Sequence, residues 1–242
     1  MQSQPQYKFY ATLLDSFLWY KRSESEFAEQ EFINRINRVQ ETDAEKIWTM
    51  GRGTALNNLI DSIILNGYDK LGEDVTIFDS YDFPTYLVNT LVDTLTGSAC
   101  QIYTSITIKV NGVDVLLYGY IDYILLNKCI DLKTTKEYAL GKYKDSMQMH
   151  LYPVCLANKN IDVDTFEFVA VEFSSRGANI YSESYPVNIA QSTSHLISVC
   201  EELIAFIEAK KHLITDVKIF GLDETTNYIA TPIDEGMIID KL

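Results

Sequence analysis

The feature that most constrains this fold is a change of hydrophobic period near residue 101. Before it, apolar residues recur at helical spacing; after it, they alternate or run together as strands do. Residues 101–110, "QIYTSITIKV", are rich in β-branched and aromatic side chains. Asn111-Gly112 follows, a two-residue hairpin signal because both positions tolerate positive φ. "VDVLLYGYIDYILL" then reads as a second strand, "NK" at 127–128 as a turn, and "CIDLK" as a third strand.

The flanking segments complete the pattern. Residues 7–22 place Tyr10, Leu13, Leu14, Phe17 and Leu18 on one helical face, and residues 24–40 do the same with Phe27, Phe32, Ile36 and Val39. A third helix is expected from Ala44 to near Gly67 and a fourth after Pro84. Beyond the three strands, a helix is expected over Tyr138–Asn158. Strands follow at "TFEFVAVEF" and "GANIYSESYP", then a helix over 188–212 and a short strand at Val217–Phe220. This order predicts an α/β fold, a mixed central sheet flanked by helices. The 242 residues suit a single domain, 1–242, with a helical N-terminal region over 1–67 and the core sheet and helices over 100–212.

Hydrophobic residues form 47% of the chain, enough for a buried core, and no apolar run reaches 18 residues, so no membrane span is expected. The first 22 residues lack a basic start, an apolar stretch and a small-residue cleavage site, which predicts a cytoplasmic protein. Cys100, Cys129, Cys155 and Cys200 form no C-x-x-C pair, which argues against zinc or an iron–sulfur cluster. The formal net charge of -14 argues against a broad nucleic-acid-binding surface, though not against a local basic channel.

Three charges interrupt the apolar strands: Asp122, Asp131 and Lys133. Residues two apart share a strand face, so Asp131 and Lys133 do. With a two-residue loop, pairing falls as 124 with 131 and 122 with 133, or as 122 with 131. Either register gathers all three charges on one face, whereas a three-residue loop sets Asp122 with Leu132. Two adjacent carboxylates repel and need a cation. Their oxygens suit Mg²⁺ or Mn²⁺, and a lysine beside them can orient water or stabilise a developing oxyanion. A solvated charge ladder is the ordinary reading of such a pattern, but the neighbours Gly119, Tyr120, Ile121, Ile124, Ile130 and Leu132 make a poor open surface.

"GYIDYILLNKCIDLKTTK" resembles motifs II and III of the PD-(D/E)XK nuclease superfamily, in particular its RecB-type and phage exonuclease branch. Gly119, Asp122, Asp131, Lys133, Thr134 and Thr135 match that pattern, and "QMHLY" supplies Q-x-x-x-Y as Gln148 and Tyr152. The likeness spans roughly residues 50–175. It implies a restriction-endonuclease-like core and a Mg²⁺- or Mn²⁺-dependent deoxyribonuclease, of exonuclease type in phage or recombination and repair. It implies catalysis by Asp122, Asp131 and Lys133, and metal binding by Asp122, Asp131 and the Leu132 carbonyl. Motif I, G-x-x-x-H, has its nearest match in "GTALN", where Asn57 replaces the histidine; its amide oxygen is a weaker ligand, and Asp61 lies one turn on. The resemblance also implies that Gln148 and Tyr152 hold the site or the nucleic-acid backbone, with Lys144 extending their stripe.

Lys133, Lys136, Lys142 and Lys144 form a basic cluster in an acidic chain, with Tyr138, Tyr143 and Tyr152 as candidate stacking surfaces for bases. Lys136 and Lys144 are the expected backbone contacts. His150, His195 and His212 show no ligand spacing. The implied partners are DNA and a recombinase or single-strand annealing protein. The competing reading is a catalytically weak or inactive nuclease-fold binding protein, or an acidic DNA-mimic inhibitor.

Overall fold

A computed structural model describes residues 5–67, 71–72, 74–174 and 177–221. The chain opens with a strand, β1 (Tyr7–Tyr10), where a helix is expected: Tyr7 and Phe9 alternate into the core and pair parallel with the middle of the sheet. The helical stripe takes over only at Ala11, giving α1 (Ala11–Arg22). α2 (Ala28–Ile36) is shorter than the expected 24–40. The Ser23 and Ser25 hydroxyls accept backbone N–H groups ahead of it, and Arg38 at φ 54° ends it. α3 (Ala44–Asn66) starts where expected, Asp43 accepting hydrogen bonds from Glu45 and Lys46 backbone nitrogens as N-cap. A small hairpin, β2 (Val75–Phe78) and β3 (Tyr81–Pro84), leads into α4 (Thr85–Leu95).

The central sheet holds β4 (Ala99–Val110), β5 (Val113–Leu125), β6 (Lys128–Thr135), β7 (Thr165–Ser174) and β8 (Gly177–Pro186), with β1 inserted beside β5. β4, β5 and β6 run as an antiparallel meander, β6 and β7 are parallel, and β7 and β8 are antiparallel. Asn111 and Gly112 make the first turn at φ 49° and 83°. The second turn is Leu126-Asn127 rather than Asn127-Lys128, because Leu125 pairs with Lys128, whose amine reaches Glu167 on β7 at 3.0 Å. The loop therefore has two residues, and the ladder runs in the register that leads towards 122 with 131 but ends at Tyr123 with Ile130.

Between β6 and β7 the expected helix is cut to α5 (Gln148–Ala157). Glu183 of β8 holds the preceding loop: it accepts from Tyr138 Oη at 2.6 Å and from the Gly141 backbone N–H at 2.9 Å, and Gly141 sits at φ 77°. α6 (Ile189–Ala209) follows β8. Val217–Phe220 is a 3₁₀ turn, not a strand, because Asp216 accepts the Lys218 N–H and Gly221 turns left-handed at φ 67°. Residues 1–4 and 222–242 of the expected single domain lie outside the described residues.

The two sheet faces are covered differently. α1, α2, α5 and α6 enclose a larger core with Phe9, Ile121, Ile124, Cys129 and Phe168. α3 and α4 enclose a smaller one with Tyr123, Ile130, Leu132, Val169 and Val171. This is a mixed α/β architecture, a central mixed sheet flanked by helices, consistent with a restriction-endonuclease-like core. No helix among the described residues is long and apolar enough to cross a membrane.

Candidate active site

The site lies where the sheet forks. One edge of β5 pairs with β1 over Val115–Tyr118 and with β6 over Tyr123–Leu125. Between those ladders, residues 119–122 have no strand partner on that edge among the described residues. The other edge is also distorted: the β4–β5 ladder skips the Gln101–Asp122 position, with Gln101 at φ 53°. Face alternation breaks at the same place, since Ile121 packs in the larger core and Tyr123 in the smaller. Asp122 stands at this break, and its Oδ2 accepts the Leu132 backbone N–H at 2.9 Å. A side chain thus takes over where the ladder stops.

Asp131 and Lys133 share the face that α5 covers. Lys133 Nζ lies 2.7 Å from Asp131 Oδ2 and donates to Gln148 Oε1 at 2.6 Å. Gln148 Nε2 donates to Asp131 Oδ1, so the one amide bridges both members of the ion pair. Tyr152, one turn on, has its hydroxyl 3.4 Å from Gln148 Nε2. Asp131 is 1% exposed and Gln148 6%, while the Lys133 side chain keeps 26% of its surface. Lys133 is therefore the member of this trio that keeps the most surface, while its amine is held between Asp131 and Gln148.

Gly119 explains the seating of Tyr152. A Cβ at 119 would sit 2.7 Å from the tyrosine ring, so only glycine lets the ring close over β5. The electrostatics follow from burial. The Asp122 carboxyl is pushed well above the ordinary carboxylate range, first by burial and then by the Asp131 charge, against the Leu132 N–H and Lys133. Burial works to lower the Lys133 pKa, but Asp131, Asp122 and Asp15 more than offset it and hold the amine charged.

Asp15 is a member of this cluster that the sequence reading missed. It sits on α1 amid the apolar stripe, and its carboxylate accepts from the Met147 backbone N–H at 2.6 Å and from Ser146 Oγ at 3.1 Å. It thereby caps α5 from a distant element and fixes Gln148. Burial raises its pKa, and Lys133 works in the opposite sense. An aspartate between Leu14 and Phe17 was the only signal, and it carries no spacing that points to β6.

α3 crosses the fork on the other face. Gly53, Asn57 and Asp61, each four apart, form one stripe. A Cβ at Gly53 would lie 2.6 Å from Thr134 Oγ1, so the glycine sets how closely α3 packs on β6. Asp61 stands near Tyr123 and Gln101; burial raises its pKa more than they lower it, and its charge reaches Asp122. Asn57 Oδ1 and Asp61 Oδ1 are buried without a hydrogen-bond partner, and Asp131 Oδ2 has its ion contact but no well-aligned hydrogen bond. The unbonded Asp131 oxygen beside the Asp122 carboxyl is donor chemistry that fits a hard divalent cation. No group of three or more His, Cys, Asp or Glu side chains gathers in metal-holding geometry among the described residues.

The outer residues behave differently from expectation. Lys136 is ion-paired with Glu45 of α3. Lys144 lies in the loop before α5, off the Gln148–Tyr152 stripe. Lys142 is tied to Thr135 Oγ1 and the Glu137 carbonyl. The three tyrosines are committed within the fold: Tyr138 stacks on Tyr181 at 4.0 Å, Tyr143 on Phe168 at 5.4 Å, and Tyr152 is buried. His150 bonds Ser192 and meets His195 edge-on, away from the cluster.

The chain matches no protein-family profile and no curated protein sequence. Several solved structures are similar to it, two of them as follows. SSO0001 is 16% identical over 85% of this chain and 79% of its own, with a TM-score of 0.47. A protein from Eubacterium rectale named "Putative exonuclease" is 9% identical over 87% of this chain and 84% of its own, with a TM-score of 0.48. Similarity at this level assigns no role to any residue, so the reading of the site rests on its own geometry.

Proposed function

We propose that this chain is a divalent-metal-dependent nuclease that hydrolyses phosphodiester bonds in DNA, as an exonuclease of phage or recombination and repair type. The observation that carries the reading is the meeting of Asp122, Asp131 and Lys133 at the sheet fork, with Gln148 bridging the ion pair. Asp122, Asp131, the Leu132 carbonyl and Asn57 would hold Mg²⁺ or Mn²⁺, with Asp61 beside Asn57. When bound, such an ion supplies positive charge against a phosphate oxygen and lowers the pKa of water. Lys133 is charged, so it acts as a donor and not as a base: it orients the attacking water or stabilises negative charge on the phosphate. Gln148 keeps the amine and Asp131 in register, and Tyr152 backs Gln148. DNA is the proposed partner, together with a recombinase or single-strand annealing protein.

A second reading, an inactive nuclease-fold binding protein or acidic DNA mimic, is favoured by Asn57 in the histidine position and by the net charge of -14. Calorimetric titration with Mn²⁺ separates the two. Saturable binding that Asp131→Asn removes supports the nuclease; absence of binding supports the binding module. Incubating linear and closed circular DNA with Mg²⁺ or Mn²⁺ then tests the mode, since an exonuclease degrades only the linear form.

A further inference from the structure

A second cleft adjoins the catalytic strand. A cavity of about 300 Å³ is lined by Trp48, Arg52, Thr134, Thr135, Lys136 and Phe173. Thr134 and Thr135 directly follow Lys133, so the cleft begins at the next two residues along the strand that carries the catalytic lysine. Arg52 lies over the Phe173 ring at 3.5 Å and beside Trp48 at 5.4 Å. Its guanidinium has one weak polar contact, the Asp82 carbonyl at 3.4 Å, and no carboxylate ion pair among the described residues. Burial lowers its pKa more than the nearby Asp82 charge raises it, so it is a partly desolvated cation. Gly51 and Gly53 flank it: a Cβ at 51 would collide with the Tyr81 hydroxyl, and one at 53 with Thr134. Two glycines inside a helix are unfavourable, and here they let β3 and β6 close around Arg52. Trp48 remains 51% exposed.

We propose that this cleft is a nucleotide subsite, in which an unpaired base of the bound strand stacks on Trp48 and its phosphate meets Arg52 and Lys136. The proposal rests on the nuclease reading and names the substrate as single-stranded at this position. A half-exposed indole set between Arg52 and the Tyr81 ring suits any base, because every base has a π-face. The two cations give the cleft the charge a phosphate needs within an acidic chain, Lys136 exchanging Glu45 for the ligand.

The chain contains two tryptophans, so Trp19→Phe leaves Trp48 as the sole emitter. A thymidine hexamer is titrated into that protein, in chelator and again in Ca²⁺, while cleavage by the unaltered chain is measured in parallel. The expected result is quenching of Trp48 emission. Measured by competition, Trp48→Ala should lose about tenfold in affinity and Trp48→Phe should keep most of it. An abasic hexamer should behave towards the unaltered chain as the normal hexamer does towards Trp48→Ala. Tight binding with unmoved emission and unchanged Trp48→Ala affinity overturns the subsite while leaving the nuclease reading intact. The same holds if only a protein, docking on exposed Ile47, Trp48 and Met50, shifts the emission. No binding in either condition together with no cleavage overturns both.

Discussion

Lys133 is the residue around which the others are arranged. Its ammonium lies against Asp131 and Gln148 and within the field of Asp122 and Asp15, so one positive charge serves three carboxylates, Asp131 buried and the others half-buried. Asp122 bears the consequence. Its folded pKa is raised, so the stability linked to its protonation is complete below the ordinary value of 3.8 and is lost as pH rises through the folded value. Asp15 and Asp61 are raised in the same sense. Urea unfolding of metal-free protein should therefore show stability falling with rising pH across that window. Asp122→Asn should flatten the curve, and Mn²⁺ should oppose the fall, because the ionised carboxylates bind it. A second residue-scale prediction concerns Gly119→Ala, which drives a methyl into the Tyr152 ring. A loss of about 1–3 kcal/mol in thermal unfolding is expected. These residues were legible because the G-x-x-D, D-x-K and Q-x-x-x-Y spacings are local. Asp15 was not, because its partners are more than 130 positions away.

At the scale of elements, the fork in the sheet does the positioning. β5 leaves one partner strand before it meets the next, and Asp122 occupies the interval. The meander, its Asn-Gly turn and the strands β7 and β8 were legible in the sequence, since their periods and turn residues are strong. The fork was not, because it requires β1, and "YKFY" is too short to reveal a strand ahead of a helical stripe. The loop before α5 was likewise hidden: its sequence permits helix, and Glu183 on β8 decides otherwise. The Leu126-Asn127 turn offers a test. Leu126 is 85% exposed and held at φ 55°, a region unfavourable to a side chain of its kind. Leu126→Asn should stabilise the protein by about 1 kcal/mol in denaturant titration, without altering the site.

At the scale of the whole molecule, an acidic chain presents few free cations to a polyanion. Lys142 is engaged within the protein, so on the proposed reading DNA affinity would come from the site, the metal it would hold and the cleft of Arg52 and Lys136. The measurement that tests this account most directly compares Mn²⁺-dependent degradation of linear DNA by the unaltered chain and by Lys133→Ala, with circular dichroism confirming that both are folded. The account predicts cleavage by the first and a loss of roughly a hundredfold or more in the second. Equal rates in the two proteins, or no cleavage by either, would contradict it.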